Sequence, residues 1–91
     1  MAEESRASRL GRLRYRSWHR GTREMDLLLG PFADRHLEEL DEATLAGYER
    51  LLELPDPELF VWLSGRAPVP QELDSPALRH VIEFCHRRFT S

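Results

Sequence analysis

The chain has 91 residues, 41% of them hydrophobic and 32% charged, with a formal net charge of -3. That length allows one domain with a thin core, since a domain of this size buries only about 60–65% of the surface its unfolded chain exposes. The hydrophobic fraction argues against disorder, and no apolar run approaches the roughly 18 residues a membrane span needs.

The charge is unevenly placed. Arg6, Arg9, Arg12, Arg14, Arg16, Arg20 and Arg23 precede Glu24 and are opposed only by Glu3 and Glu4, whereas acids outnumber arginines from Glu24 to Glu83. A basic segment followed by an acidic body can dock onto an acidic partner, onto nucleic acid or onto itself. Every basic side chain apart from the histidines is arginine, whose planar guanidinium pairs bidentately and stacks in ways lysine cannot. The first residues are charged and no apolar core follows them, so no secretory signal is expected. Residues 6–23 are arginine-rich and free of acids, faintly like a transit peptide, yet they hold the chain's best motif. A bacterial, cytoplasmic protein is therefore expected, and the single cysteine, Cys85, fits a reducing compartment.

The elements read as helices throughout. Valine occurs only at positions 61, 69 and 81 and isoleucine only at 82, too few β-branched residues for strands. Residues 1–7 are expected to lack structure. A first helix is predicted from about Ser8 to His19, burying Leu10, Leu13 and Trp18, and Gly21-Thr22 breaks the pattern. The second carries Met25, Leu28, Leu29, Phe32, His36, Leu37 and Leu40 at close to helical period. Pro31 falls inside it and should kink it; because the apolar face stays in phase across the proline, one bent helix is expected. Asp41 is the expected N-cap of the third helix, with Leu40 and Leu45 as its hydrophobic staple and Tyr48, Leu51 and Leu52 following on one face. Asp56 is expected to cap the fourth helix, Pro57 to Ser64, with Pro57 at its first position and Gly65 as its stop. A proline-containing connection, Ala67 to Asp74, leads to a Ser75-Pro76 start for the last helix, which presents Leu78, Val81, Ile82, Cys85 and Phe89 as one stripe. The sum is a single all-α domain, a small antiparallel five-helix bundle.

Catalytic motifs are missing from this reading. The five glycines are scattered singly, so no phosphate loop forms. His80 and His86 stand six apart and do not share a helix face, so no metal site is expected. Cys85 reads as a core residue, and His19 and His36 as core-edge or interface residues. Two constellations stand out. In Trp18-His19-Arg20-Gly21-Thr22-Arg23-Glu24-Met25-Asp26, Gly21 or Thr22 caps the second helix, and Glu24 and Asp26 suit the positive end of its dipole. If Gly21 is the cap, Glu24 can bond back to its amide. That structural reading leaves Trp18, His19, Arg20 and Arg23 crowded at one junction, so a structural corner and a binding surface stand equally. In Asp56-Pro57-Glu58-Leu59-Phe60-Val61-Trp62-Leu63, Phe60 and Trp62 can fill the core. Being two residues apart, they do not both face one neighbour, and one is free to meet a partner.

Arg20-Gly21-Thr22-Arg23-Glu24 resembles the RGxxE motif of the succinate dehydrogenase assembly factor 2 family, also called the FAD assembly factor or flavinator family. Met25-Asp26, the Pro31-Phe32 corner and the block Leu51-Leu52-Glu53-Leu54-Pro55-Asp56-Pro57-Glu58-Leu59-Phe60-Val61-Trp62-Leu63 are similar to it as well, so the resemblance runs from about Arg12 to Phe89. It implies a five-helix bundle that binds the flavoprotein subunit of succinate dehydrogenase, and in some bacteria of fumarate reductase, and promotes covalent attachment of FAD to a histidine of that partner. The resemblance places the motif on Arg20, Gly21 and Glu24; Trp18, His19, Arg23, Asp26, Phe60 and Trp62 complete the candidate partner-binding set. Gly21 would allow close backbone approach, and Arg20 and Glu24 would supply orienting charged hydrogen bonds. The chain would act as a monomer with no catalytic residue, metal or cofactor of its own, the FAD belonging to the partner, and with no membrane insertion. Two alternatives remain: a direct FAD carrier using the arginine-rich junction for the pyrophosphate and Trp18 for stacking, and a nucleic-acid-binding module using the first helix.

Overall fold

Side-chain oxygens and prolines at helix starts decide where this chain's helices begin. A computed structural model describes residues 4–90, with side chains as far as Arg88. Five α-helices occur: α1 Arg6–Trp18, α2 Arg23–His36, α3 Glu42–Leu51, α4 Asp56–Leu63 and α5 Pro76–Thr90. Short 3₁₀ turns lie at Leu37–Glu39 and Gln71–Leu73, and no strand occurs among the described residues. The all-helical class read from the sequence is therefore what the chain adopts. No helix among the described residues is long and apolar enough to cross a membrane. The described residues fall into two compact units, one ending at Glu39 and the other beginning at Leu40.

In the first unit, α1 starts two residues earlier than the sequence pattern suggests. Ser5 is the N-cap: its Oγ accepts from the Ser8 amide at 3.1 Å, satisfying one of the four amides a helix start leaves unpaired. Glu4 adds an ion pair to Arg12 at 2.9 Å. Arg6 and Ala7, expected to be structureless, are thus helical; Met1 to Glu3 lie outside the described residues. The helix buries Leu10, Leu13 and Ser17, the last donating from Oγ to the Leu13 carbonyl at 2.8 Å. A serine satisfied within its own helix leaves no apolar signal, which is why periodicity passed it over.

Thr22 caps α2, its Oγ1 accepting from the Met25 amide at 3.3 Å. Pro31 sits inside α2 without dividing it. The proline removes a backbone donor, and the burial of Leu28, Leu29, Phe32 and Ala33 around it keeps the helix whole. α1 and α2 pack together as an antiparallel hairpin: Arg6, at the start of α1, donates through Nη2 to the Glu38 carbonyl beyond the end of α2 at 3.2 Å.

In the second unit, α3 and α4 each pack on α5. Asp41 caps α3, accepting from the Thr44 amide at 2.7 Å, and Leu40 and Leu45 of the expected staple are both buried. α4 begins one residue before the expected position. Pro55 is the cap residue and makes no side-chain bond, so Asp56 is the first helical residue rather than the cap; its carboxylate favours the first turn through the dipole instead. The end of α4 is a Schellman stop, with Arg66 N donating to Val61 O at 3.0 Å and Gly65 N to Trp62 O at 3.1 Å. Gly65 takes a φ of +78° to make it. Ser75 caps α5 through Oγ to the Leu78 amide at 3.1 Å, with Pro76 first in the helix. The buried stripe of α5 is Ala77, Leu78, Val81, Phe84 and Cys85. Ile82 is only half-buried: the buried face turns away from it toward Ala77 and Phe84. The Phe89 side chain lies outside those described.

The Thr44 amide hydrogen bond holds the Asp41 carboxyl below its ordinary pKa of 3.8. A carboxylate whose folded-state pKa is depressed contributes stability that is present above its unfolded value and lost as the pH falls through the folded one. Wild type and Asp41→Asn are therefore expected to differ in melting temperature at neutral pH and to converge below pH 3.8, as read by thermal denaturation across an acid titration.

Candidate functional site

The four residues between α1 and α2, His19 to Thr22, form a corner tied down at both ends. On the α1 side Trp18, half-buried, lays its indole across Gly30 of α2 and donates Nε1–H to the Asp34 carboxylate, 3.2 Å from Oδ2 and 3.3 Å from Oδ1. On the α2 side Asp26 turns back to accept from the Arg20 amide at 2.6 Å, a short, charge-assisted bond. Between these ties Gly21 has a φ of +107°. A Cβ built there meets nothing within 4 Å, so glycine is required by the backbone conformation and not by space within this chain.

With Thr22 as the cap, Glu24 is the second residue of α2 and the reciprocal bond to a Gly21 cap does not form. Glu24 and Arg23 are exposed, and no hydrogen bond or ion pair engages either side chain among the described residues. Gly21 and Thr22 are exposed too, while Arg20 and Asp26 are half-buried. His19 is exposed, stacks on the Tyr15 ring with centroids 4.0 Å apart, and places Nδ1 2.8 Å from the Tyr15 carbonyl. Tyr15 is the most exposed large hydrophobic side chain of those described, at 65%. The sequence reading missed it, although the i, i+4 spacing of Tyr15 and His19 puts them on one helix face.

The corner thus gathers seven of the nine predicted site residues within a single stretch, Trp18 to Asp26. The remaining two belong to the second unit. There Trp62 is buried, at 8% exposure, and Phe60 is half-exposed with the Arg66 guanidinium 5.3 Å from its ring centroid, a cation–π distance. Phe60 is therefore the one of the pair that reaches the surface. A groove of about 350 Å³ also opens in this unit beside Gly47, Arg50, Leu54 and Leu73, and none of the predicted site residues lines it.

The other groups considered for chemistry have structural surroundings. Cys85 is 1% exposed, and burial pushes its thiol up to about 11 despite the opposing influence of Arg88; the thiolate needed for nucleophilic chemistry is scarce at neutral pH. His36 is half-buried, bonded through Nδ1 to Glu39 at 2.6 Å and tilted against Phe32. His86 stands beside Gly65. Among the described residues no group of three or more His, Cys, Asp or Glu side chains converges to hold a metal ion.

A family model described as "Flavinator of succinate dehydrogenase" matches residues 11–85. The chain is similar to the FAD assembly factor SdhE of Acetobacter pasteurianus, 43% identical over 83 residues that cover 91% of this chain and 76% of that protein. It is also similar to the mitochondrial succinate dehydrogenase assembly factor 2 of Dictyostelium discoideum, 42% identical over 81% of this chain and 52% of the relative. The corresponding protein of Schizosaccharomyces pombe is 34% identical over 90% of this chain and 60% of its own length. The chain thus spans about half to three quarters of these relatives.

Two outcomes are expected from the isolated chain. Glu24→Ala should leave thermal stability within about 0.5 kcal/mol of wild type because it breaks no internal bond, whereas Gly21→Ala should cost about 1–2 kcal/mol through its positive φ alone; denaturant melts of the two variants test the contrast. Cys85 should resist a thiol reagent such as Ellman's at neutral pH in the folded chain and react fully once the chain is unfolded.

Proposed function

The chain belongs to the family of flavinators of succinate dehydrogenase, and from that premise we propose that it binds the flavoprotein subunit of the enzyme and promotes covalent attachment of FAD to it. The observation that carries this reading is the exposed Arg23–Glu24 pair, without internal partners among the described residues, on a corner fixed on either side by Trp18 and Asp26. Two charged groups held without a mate on a pre-ordered backbone are suited to meet a complementary surface, since little ordering cost remains at the moment of contact. Gly21 adds a face with no side chain, allowing the partner's backbone to come close. Phe60 in the second unit supplies a further apolar contact, and buried Trp62 supports the helix that carries it.

The chemistry belongs to the partner. FAD attachment joins the flavin to a side chain of the flavoprotein, and this chain contributes no reacting group. By binding one conformation of the flavoprotein better than the others, it raises the population in which bound FAD lies against its acceptor. A fumarate reductase flavoprotein presents the same problem and is a second client on this reading. The chain acts as a monomer in the bacterial cytoplasm and holds no FAD of its own.

The test is capture of the isolated flavoprotein subunit, with in-gel flavin fluorescence to score covalent FAD. Wild type is expected to bind and to raise the covalent flavin signal. Glu24→Ala should keep its fold and lose roughly tenfold or more in affinity, the usual loss at a central charged contact, and Gly21→Arg should abolish capture. Folded variants that bind and flavinylate as wild type does would sink the assignment of the corner, and micromolar FAD binding by the isolated chain would favour the carrier.

A further inference from the structure

Two residues outside the motif, Gly30 and Asp34, meet the Trp18 ring at the α1 edge of the Arg20–Glu24 corner. Gly30 lies in the second turn of α2, and Asp34 one turn further on, on the same face. A Cβ built on Gly30 would overlap Cδ2 and Cε2 of the Trp18 indole and stand 2.6 Å from Cε3. The obstacle is a ring system, which cannot fold away as a flexible chain end can. Trp18 therefore occupies its place only because position 30 has no side chain. The hydrogen bond from Nε1 to Asp34 then fixes the rotation of the ring, so that one contact sets its depth and the other its direction. Trp18 is the last residue of α1, and Arg20 follows two residues later.

We infer that Gly30 and Asp34 are positioning residues of the partner-binding corner: together they form a socket for Trp18 that holds residues 19–23 in the conformation the partner meets. The inference deepens the proposed function and rests on it for the partner, but the ordering of the corner can be measured in the chain alone. Asp34 is exposed, so its substitution opens no core cavity. It also lies on α2 beyond the RGxxE stretch, where no motif points to it.

The experiment uses the full-length chain and four forms: wild type, Gly30→Ala, Asp34→Ala and Asp34→Asn. Exchange of the Arg20 amide, bonded to Asp26, compared with Leu45 to Leu51 in the second unit, reads corner order; the Trp18 indole N–H resonance, assigned with Trp18→Phe, reads the socket. Gly30→Ala and Asp34→Ala are expected to speed exchange at the corner about tenfold while leaving Leu45 to Leu51 unchanged, and to weaken flavoprotein capture by a similar factor. Asp34→Asn retains an acceptor oxygen and should restore the indole resonance, the slow exchange and the affinity. That rescue separates positioning from a direct charge contact, which asparagine would not restore. Should Gly30→Ala fail to fold, the two Asp34 variants still decide. Slow corner exchange in Asp34→Ala, or a loosened corner with undiminished capture, would overturn the inference. If wild type captures no flavoprotein, the functional reading falls by itself, and the exchange data still establish or reject the socket.

Discussion

The first helical hairpin depends on a tryptophan ring resting where another residue's side chain would be. Trp18 can close the end of α1 against α2 because Gly30 offers bare backbone, and the indole N–H finds a carboxylate in Asp34. Mid-helix glycine costs about 1 kcal/mol relative to alanine. At position 30 that penalty is offset by the contact area of the largest side chain in the protein. Both ends of the hairpin are secured by polar contacts of a different kind, Arg6 to the Glu38 carbonyl at the open end and Asp26 to the Arg20 amide at the corner.

This arrangement divides labour within a stretch that reads in the sequence as one motif. Trp18, Thr22 and Asp26 are occupied internally, as ring anchor, helix cap and backbone clamp. Glu24 and Arg23 have no such duties. Gly21 serves the backbone through its φ and leaves the outer face clear. The internal contacts of the corner therefore fall on Trp18, Thr22 and Asp26, and the exposed charges of Arg23 and Glu24 are the ones the proposed function draws on. Two arginines of the basic α1 have internal partners: Arg12 pairs with the Glu4 carboxylate, and Arg6 reaches across the hairpin to the Glu38 backbone carbonyl.

Much of the helical framework was legible in the sequence because its signals are local. Asp41 and Ser75 announce helix starts through one side chain and one nearby amide, and Gly65 announces a stop through one dihedral angle. Errors arose where two local signals compete. Pro55 and Pro57 flank Asp56, and the preceding proline took the cap position, moving the aspartate into the helix. On α5, both Ile82 and Phe84 suit an apolar stripe, and only packing shows that the ring is buried deeper. The corner was located by its charges and glycine, yet the means of holding it was not. The Trp18–Gly30 contact pairs a residue with a missing side chain twelve positions away, which leaves no periodicity to find. The choice between Phe60 and Trp62 was likewise a matter of which face of α4 turns inward.

Positions 18 and 30 share one volume, so a change at either one constrains the other. A side chain at 30 can be accommodated only after the ring at 18 has shrunk, and a smaller residue at 18 leaves a void until 30 grows to fill it. The first order passes through a loosened hairpin, and the reverse order passes through a steric clash. Relatives that carry a bulky residue at 30 should therefore carry a compact one at 18, and the exchange between the two solutions runs preferentially through the cavity. The constraint couples two positions that both lie outside the RGxxE stretch.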